Sequence, residues 1–190
     1  MKYIQVTIGL PLILSIEKSG DIKCYVDASF VVHKDMRSHT GSFMTMGTGG
    51  AYVQSSKQKL NINSSTEAEL VGLDDVLTQV IWTRYFLKEQ GYIIHDNVIY
   101  QDNHSTIRLE NNEKQLISKR PRHINIRYYF ITDRIINQEA SMQFFPTLDM
   151  VGGYFTKALQ GSQFHRFCNI ILGIHEDDIP AYNASGRAFF

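Results

Sequence analysis

The sequence lacks most of the features that place a protein quickly. It has only two cysteines, Cys24 and Cys168, far apart and without metal-ligand spacing. That argues against a disulfide-framed module or a cysteine zinc site and for buried thiols of a reducing compartment. Nineteen basic and nineteen acidic side chains leave a formal net charge of zero, so no global field draws the chain to nucleic acid or to a membrane. Any electrostatic function must rest on local asymmetry. No apolar run approaches the roughly 20 residues that cross a bilayer. The opening "MKYIQVTIGLPLILSIEKSG" is interrupted by Pro11 and has no small-residue cleavage site, so it does not read as a signal peptide. The expectation is a soluble, intracellular protein with no membrane partner. There is no internal repeat and no low-complexity tract, and 190 residues leave room for one compact domain with appended segments, or at most two small domains.

What is present is apolar, aromatic and patterned. Residues 1–20 read as a short helix or strand pair ending in a Ser-Gly turn. "DIKCYVDASFVV" has the β-branched and aromatic content of a strand, and "SFMTMGTGGAYVQSSKQK" reads as two strands joined at "GTGG", with Met44, Met46, Tyr52 and Val53 as core positions. The period then changes. Leu70, Leu73, Leu77, Val80, Ile81 and Trp82 recur at helical spacing, Ser64 and Glu67 form a capping-box pair, and Gly91 supplies the stop. "DNVIYQDN" is a short strand, "HSTIRLENN" a short helix, and "KRPRHINIRYYFITDRIINQ" an aromatic-rich amphipathic helix. "ASMQFFP" is a strand, "LDMVGGYFTKAL" a short helix and "QGSQFHRFCNIILGI" a final one. Three antiparallel strands followed by strand–helix alternation give an α/β class with a mixed sheet flanked by helices.

Three acids stand out by position. Asp27 lies inside a strand in "YVDAS", Glu69 in the first turns of the long helix in "TEAEL", and Asp102 at the carboxyl end of the fourth strand in "YQDN". An acid within an apolar strand is costly unless something positive compensates it. Brought together and ionised, the three would repel one another, and a divalent cation removes that repulsion. Mg²⁺ takes hard oxygen ligands, and two such ions about 4 Å apart activate water and stabilise a leaving oxygen in phosphodiester hydrolysis. Each acid alone also fits a strand edge, a cap or a salt bridge.

The blocks "YVDAS", "SSKQK", "SSTEAEL", "IYQDN", "RHINIRYYFI" and "TKALQG" stand in the order and approximate spacing of the ribonuclease H domain of Ty1/copia-type retrotransposon polyproteins, which residues 21–174 resemble. "MKYIQVTIGLPLILS" is similar to the segment that links polymerase to ribonuclease H, so residues 1–20 are expected to be a remnant of that segment and 175–190 a C-terminal tail. The resemblance implies a ribonuclease H-like fold with a mixed five-stranded sheet and helices on both faces. It implies hydrolysis of the RNA strand of an RNA–DNA hybrid with two Mg²⁺ ions, for which Mn²⁺ can substitute. The implied catalytic carboxylates and metal ligands are Asp27, Glu69 and Asp102, with Glu69 taking the helix position and Glu67 the cap. The implied partners are the hybrid and the upstream reverse transcriptase region. The implied location is the cytoplasm, in the parent element's virus-like particle, or the nucleus.

One block departs from the family. Its pattern is Asp-Met-Val-Ala-Asp ahead of Thr-Lys, the second aspartate being the fourth metal-site carboxylate. Here the run is Asp149, Met150, Val151, Gly152, Gly153. Gly153 replaces the aspartate, and the glycine pair reads as a mutational scar rather than a structural device. A missing ligand weakens metal binding and slows or abolishes cleavage, unless Asp149, one helical turn earlier, reaches into the site. The alternative is a catalytically inactive domain that holds hybrid or serves a structural role. Hybrid contacts are assigned to Ser29 and Asn103 beside the carboxylates and to the basic residues Lys119, Arg120, Arg122 and Arg127. The segment carrying those cations also fits a solvated helix face with a buried tyrosine stripe. Ser55, Ser56 and Lys57 are weaker phosphate contacts, and His123 is assigned no role.

Overall fold

The computed structural model describes residues 10–109 and 122–174. In chain order the elements are β1 (Ile22–Ser29), β2 (His39–Thr45), β3 (Tyr52–Lys57), α1 (Ser65–Glu89), β4 (Asn97–Gln101), α2 (His104–Leu109), α3 (Arg122–Ile136), β5 (Ser141–Phe144), the 3₁₀ turns Thr147–Asp149 and Val151–Phe155, and α4 (Gly161–Leu172). The five strands form one sheet in the order β3-β2-β1-β4-β5. β1–β2 and β2–β3 pair antiparallel, whereas β1–β4 and β4–β5 pair parallel. This is the mixed sheet flanked by helices that the element order predicts, with the five strands that the resemblance implies.

Side-chain alternation in β1 divides the core. Ile22, Cys24 and Val26 are fully buried and pack with Ala68, Leu73, Leu77 and Val80 of α1 and with Ile124, Tyr128 and Ile131 of α3. Tyr25 belongs to the second cluster, with Phe43, Val151 and Phe167, which joins the sheet to the second 3₁₀ turn and α4. Both cysteines are free and buried. Burial pushes the Cys24 thiol up to about 12, so it is an inert core side chain rather than a nucleophile.

The long helix starts where its cap dictates. Ser64 Oγ accepts from the Glu67 amide at 3.2 Å, and Glu67 Oε2 accepts from the Asn63 amide at 2.9 Å. That start fixes the phase of α1, and with it the direction in which Glu69 points. At its far end Gly91 takes φ +87°, the left-handed conformation that lets the chain turn out of the helix.

Several expectations are corrected. Residues 10–20 contain a turn but no helix or strand. They run along the sheet through backbone bonds from Ile13 to Leu172, Ser15 to Thr48 and Glu17 to Met46. Val53 is exposed on the edge strand and so is not core, and Trp82, although at helical spacing with the buried leucines, is exposed and stacks on Phe86. Residues 148–159 are not one helix. Met150 adopts ψ 95°, which interrupts helical hydrogen bonding and leaves two separate 3₁₀ turns. Lys119 and Arg120 lie outside the described residues, as do residues 1–9 and 175–190.

Ser64→Ala is expected to lower the free energy of unfolding by about 1 kcal/mol, measured by urea denaturation. A loss below a few tenths would show that tertiary packing alone fixes the start of α1.

Candidate metal centre

The parallel pairing of β1 with β4 builds the site. Their register runs from Ile22 opposite Asn97 to Tyr25 opposite Tyr100. Two residues further on, Asp27 and Asp102 therefore reach the same carboxyl edge of the sheet, the edge where open α/β sheets place ligands. α1 crosses that edge and contributes Glu69. Asp27, Glu69 and Asp102 each offer an oxygen, and the three oxygens lie within 4.8 Å of one another. Asp27 and Glu69 are buried, and Asp102 is partly exposed.

Glu69 shows the electrostatic cost of this gathering. Burial first, and then the charges of Asp27 and Asp102, hold its carboxyl well above the usual carboxylate range. Hydrogen bonds from Gln101 and from the Ala28 backbone oppose the shift without cancelling it. The buried Gln101 is a positioning residue absent from the sequence-based assignment. Its Nε2 donates to Glu69 Oε2 at 3.2 Å, while its Oε1 accepts from the amides of Asp102 at 2.8 Å and Asn103 at 3.3 Å. One side chain thus links two of the carboxylate-bearing segments.

Asp27 is held from the other side. Thr156 Oγ1 donates a short hydrogen bond to Asp27 Oδ2, and Lys157 Nζ lies 3.0 Å from Asp27 Oδ1. Neither residue was assigned a role from sequence, although both stand in the "TKALQG" block. The segment approaches because two glycines allow it. A Cβ at Gly41, directly opposite Asp27 in the sheet, would stand 2.6 Å from the Gly152 carbonyl oxygen. A Cβ at Gly152 would stand 3.0 Å from the Asp27 nitrogen and the Tyr25 oxygen. Gly152 is therefore a close-packing device, which corrects its reading as a scar. Gly153 is different: a Cβ there would meet nothing nearer than Lys157 Nζ at 3.6 Å. The space for a larger side chain exists.

Asp149 does not join the cluster. It sits on the first 3₁₀ turn, half-exposed, paired with Arg166 at 2.7 Å. The expectation that it reaches in assumed a continuous helix, and the break at Met150 removes that geometry.

The nucleic-acid assignments divide. Ser29 Oγ donates to the Thr156 carbonyl at 3.3 Å, and Asn103 Oδ1 accepts from the Ser105 amide at 2.9 Å as the cap of α2. Both lie beside the site and are engaged in holding it. Arg122 is exposed at the start of α3. Arg127 is paired with Asp74 and, at 3.3 Å, with Asp75, so α3 is tied to α1 there rather than presenting a free cation. Tyr128 is buried and Tyr129 exposed, so only part of the tyrosine stripe is core. Ser55 Oγ donates to the Phe155 carbonyl at 2.9 Å and Lys57 pairs with Asp35 at 2.8 Å.

The chain is 29% identical over 157 residues to the retrovirus-related Pol polyprotein from transposon TNT 1-94 of Nicotiana tabacum, an alignment that covers 82% of this chain and 12% of that polyprotein. It is 27% identical over 173 residues to the corresponding polyprotein of transposon RE1 of Arabidopsis thaliana, covering 90% of this chain and 12% of the relative. Among solved structures, LC11-RNase H1, isolated from compost by a metagenomic approach, matches with a TM-score of 0.51 at 14% identity, over 67% of this chain and 86% of that one. The fold is that of ribonuclease H, and the relatives are Pol polyproteins of Ty1/copia-type transposons. No protein-family model matches the sequence. Among the described residues of this ribonuclease H-like domain, no helix is long and apolar enough to cross a membrane.

Without divalent cation, Glu69→Gln is expected to stabilise the domain at pH 8 and to lose that advantage as pH falls toward roughly 4.3, the unfolded value of glutamate. The sign follows from the raised carboxyl. Its contribution to stability is fully present below the unfolded value and is lost as pH rises through the folded one, so an amide removes a loss felt on the alkaline side. Thermal unfolding in chelator across that range tests this, and a gain independent of pH would refute it.

Proposed function

We propose that the chain is the ribonuclease H portion of a retrotransposon reverse-transcription polyprotein and hydrolyses the RNA strand of RNA–DNA hybrids. The observation that carries this reading is the convergence of Asp27, Glu69 and Asp102 on one point at the carboxyl edge of β1 and β4. The relatives, which are Pol polyproteins, and the ribonuclease H fold support this choice of substrate class. The donor set fits Mg²⁺ or Mn²⁺, since all three ligands are hard oxygens and Glu69 carries a repulsion that only added positive charge relieves. Two such ions would supply an activated water and stabilisation of the leaving oxygen.

The chain's own residues do the positioning. Thr156 fixes the Asp27 carboxylate through its second oxygen, and Gln101 orients Glu69 while holding the turn that carries Asp102. Recognition of the hybrid proceeds by shape and backbone contact, with little sequence preference. In this reading the exposed Arg122 contacts the phosphate backbone, and Ser29 and Asn103, beside the carboxylates, contact the scissile strand; Lys119 and Arg120 precede Arg122 in the sequence. The upstream reverse transcriptase region of the polyprotein is the protein partner.

A second reading has its own support. Gly153 stands where the family pattern has its fourth carboxylate, and Asp27 is already engaged by an ammonium. Both features favour a domain that holds hybrid with little or no turnover.

Cleavage of a labelled RNA–DNA hybrid in Mg²⁺ separates the two. The parent is expected to cut slowly, Gly153→Asp to cut faster, by at least the roughly tenfold that losing an outer-shell partner of a metal ligand costs, and Asp102→Asn not to cut. If only Gly153→Asp cuts, the natural chain is a disabled nuclease on an intact scaffold. If none cuts while hybrid still binds, the holding function replaces the enzymatic one.

A further inference from the structure

The contact between Lys157 and Asp27 has a meaning beyond holding the segment in place. Three carboxylates converge within 4.8 Å, and the cation placed against them is the Lys157 ammonium, 3.0 Å from Asp27 Oδ1. The pair is unequal. The Asp27 side chain is 3% exposed, whereas that of Lys157 is 43% exposed, so the carboxylate is fixed and the ammonium rests at the end of a flexible stem with water beside it.

Local geometry explains why that ammonium is available. The Lys157 amide donates to the Gly153 carbonyl at 3.0 Å, closing one helical turn between the two residues. Side chains four residues apart across such a turn are neighbours, and a Cβ at position 153 would indeed stand 3.6 Å from Lys157 Nζ and 3.8 Å from its Cδ. A carboxylate at 153 would lie within reach of the same ammonium. With glycine there is no such competitor, and Lys157 turns to Asp27.

We propose that Lys157 is a tethered counter-ion of the carboxylate site, competing with a divalent cation for the Asp27 carboxylate, and that Gly153 is what frees it to do so. This rests on the reading of Asp27, Glu69 and Asp102 as a metal site. The absence of a carboxylate at 153 then acts twice: it removes a ligand, and it leaves a resident competitor on a ligand that remains. Entry of the ion requires only that the lysine stem swing toward solvent, because Thr156 keeps Asp27 in place through the other oxygen.

The test is Mn²⁺ binding to the full chain, without nucleic acid, by titration calorimetry. Lys157→Met is expected to bind roughly tenfold more tightly than the parent, in line with release of one part-buried charge pair. Lys157→Arg, which keeps the charge, is expected to stay near the parent affinity. In a Gly153→Asp background, where the new carboxylate can take the ammonium, the gain from Lys157→Met is expected to shrink, a coupling that a merely structural lysine would not produce. Equal affinities for the parent and Lys157→Met would overturn the counter-ion while leaving the metal site standing, as would a Lys157→Arg variant as tight as Lys157→Met. No binding to either the parent or Lys157→Met would overturn the metal reading and the counter-ion with it.

Discussion

Repulsion among three carboxylates is the constraint around which the rest of this domain is arranged. Asp27, Glu69 and Asp102 are brought within 4.8 Å by three different elements, and a protein interior does not tolerate that without compensation. The surrounding residues are placed to limit the cost. Thr156 and Lys157 engage the two oxygens of Asp27, Gln101 donates to Glu69, and Asp102 is left partly in water. These partners reduce the strain on the cluster without removing it, as the raised Glu69 carboxyl records. A structural core would have replaced the acids with apolar side chains. Three acids gathered against that cost are what support the proposed reading of the cluster as a metal site.

The scaffold is matched to this demand. β1 is shared between an antiparallel partner and a parallel one. The parallel side delivers Asp102 to the level of Asp27, and the antiparallel side places Gly41 opposite Asp27, opening the gap through which residues 151–156 approach. α1 brings Glu69 from a different direction, its phase fixed by the Ser64 cap. Each face of the sheet therefore supports one part of the site: α1 and α3 over one cluster, the 3₁₀ turn and α4 over the other.

Much of this was legible in the sequence, for physical reasons. Strand periodicity, the switch to helical spacing after Ser64, and the turn at "GTGG" are local signals, and the structure follows them. Asp27 was legible because an acid inside an apolar strand is costly, and Glu69 and Asp102 because of their positions in blocks that resemble the family's. What escaped was non-local. Lys157 and Asp27 are 130 residues apart, and no pattern within either segment announces the pair. The link from Arg127 to Asp74 and Asp75 was hidden in the same way, so a run that reads as a basic face is in part a tie between two helices. The run 148–159 misled for a different reason. Its composition is helical apart from the glycines, but the extended backbone at Met150 ends one turn and begins another. Asp149 is thereby left at the surface with Arg166.

The two adjacent glycines show how far sequence alone can be pushed at such a point. Side by side they invite a single explanation, and both read as erosion of a helix. The folded structure separates them. Gly152 lies against the β1 backbone, where an added Cβ would press on the Asp27 nitrogen at 3.0 Å, so its missing side chain is what brings Thr156 and Lys157 within reach of Asp27. A Cβ at the buried Gly153 would make only ordinary contact, with the Lys157 side chain, so the local packing does not require a glycine there. One glycine therefore belongs to the architecture of the site, and the other is not required by packing. The lysine beside it reaches a carboxylate on the opposite side of the gap. Whether a backbone position tolerates a side chain, and which partner a neighbouring lysine takes, are relations that exist only once the chain has folded.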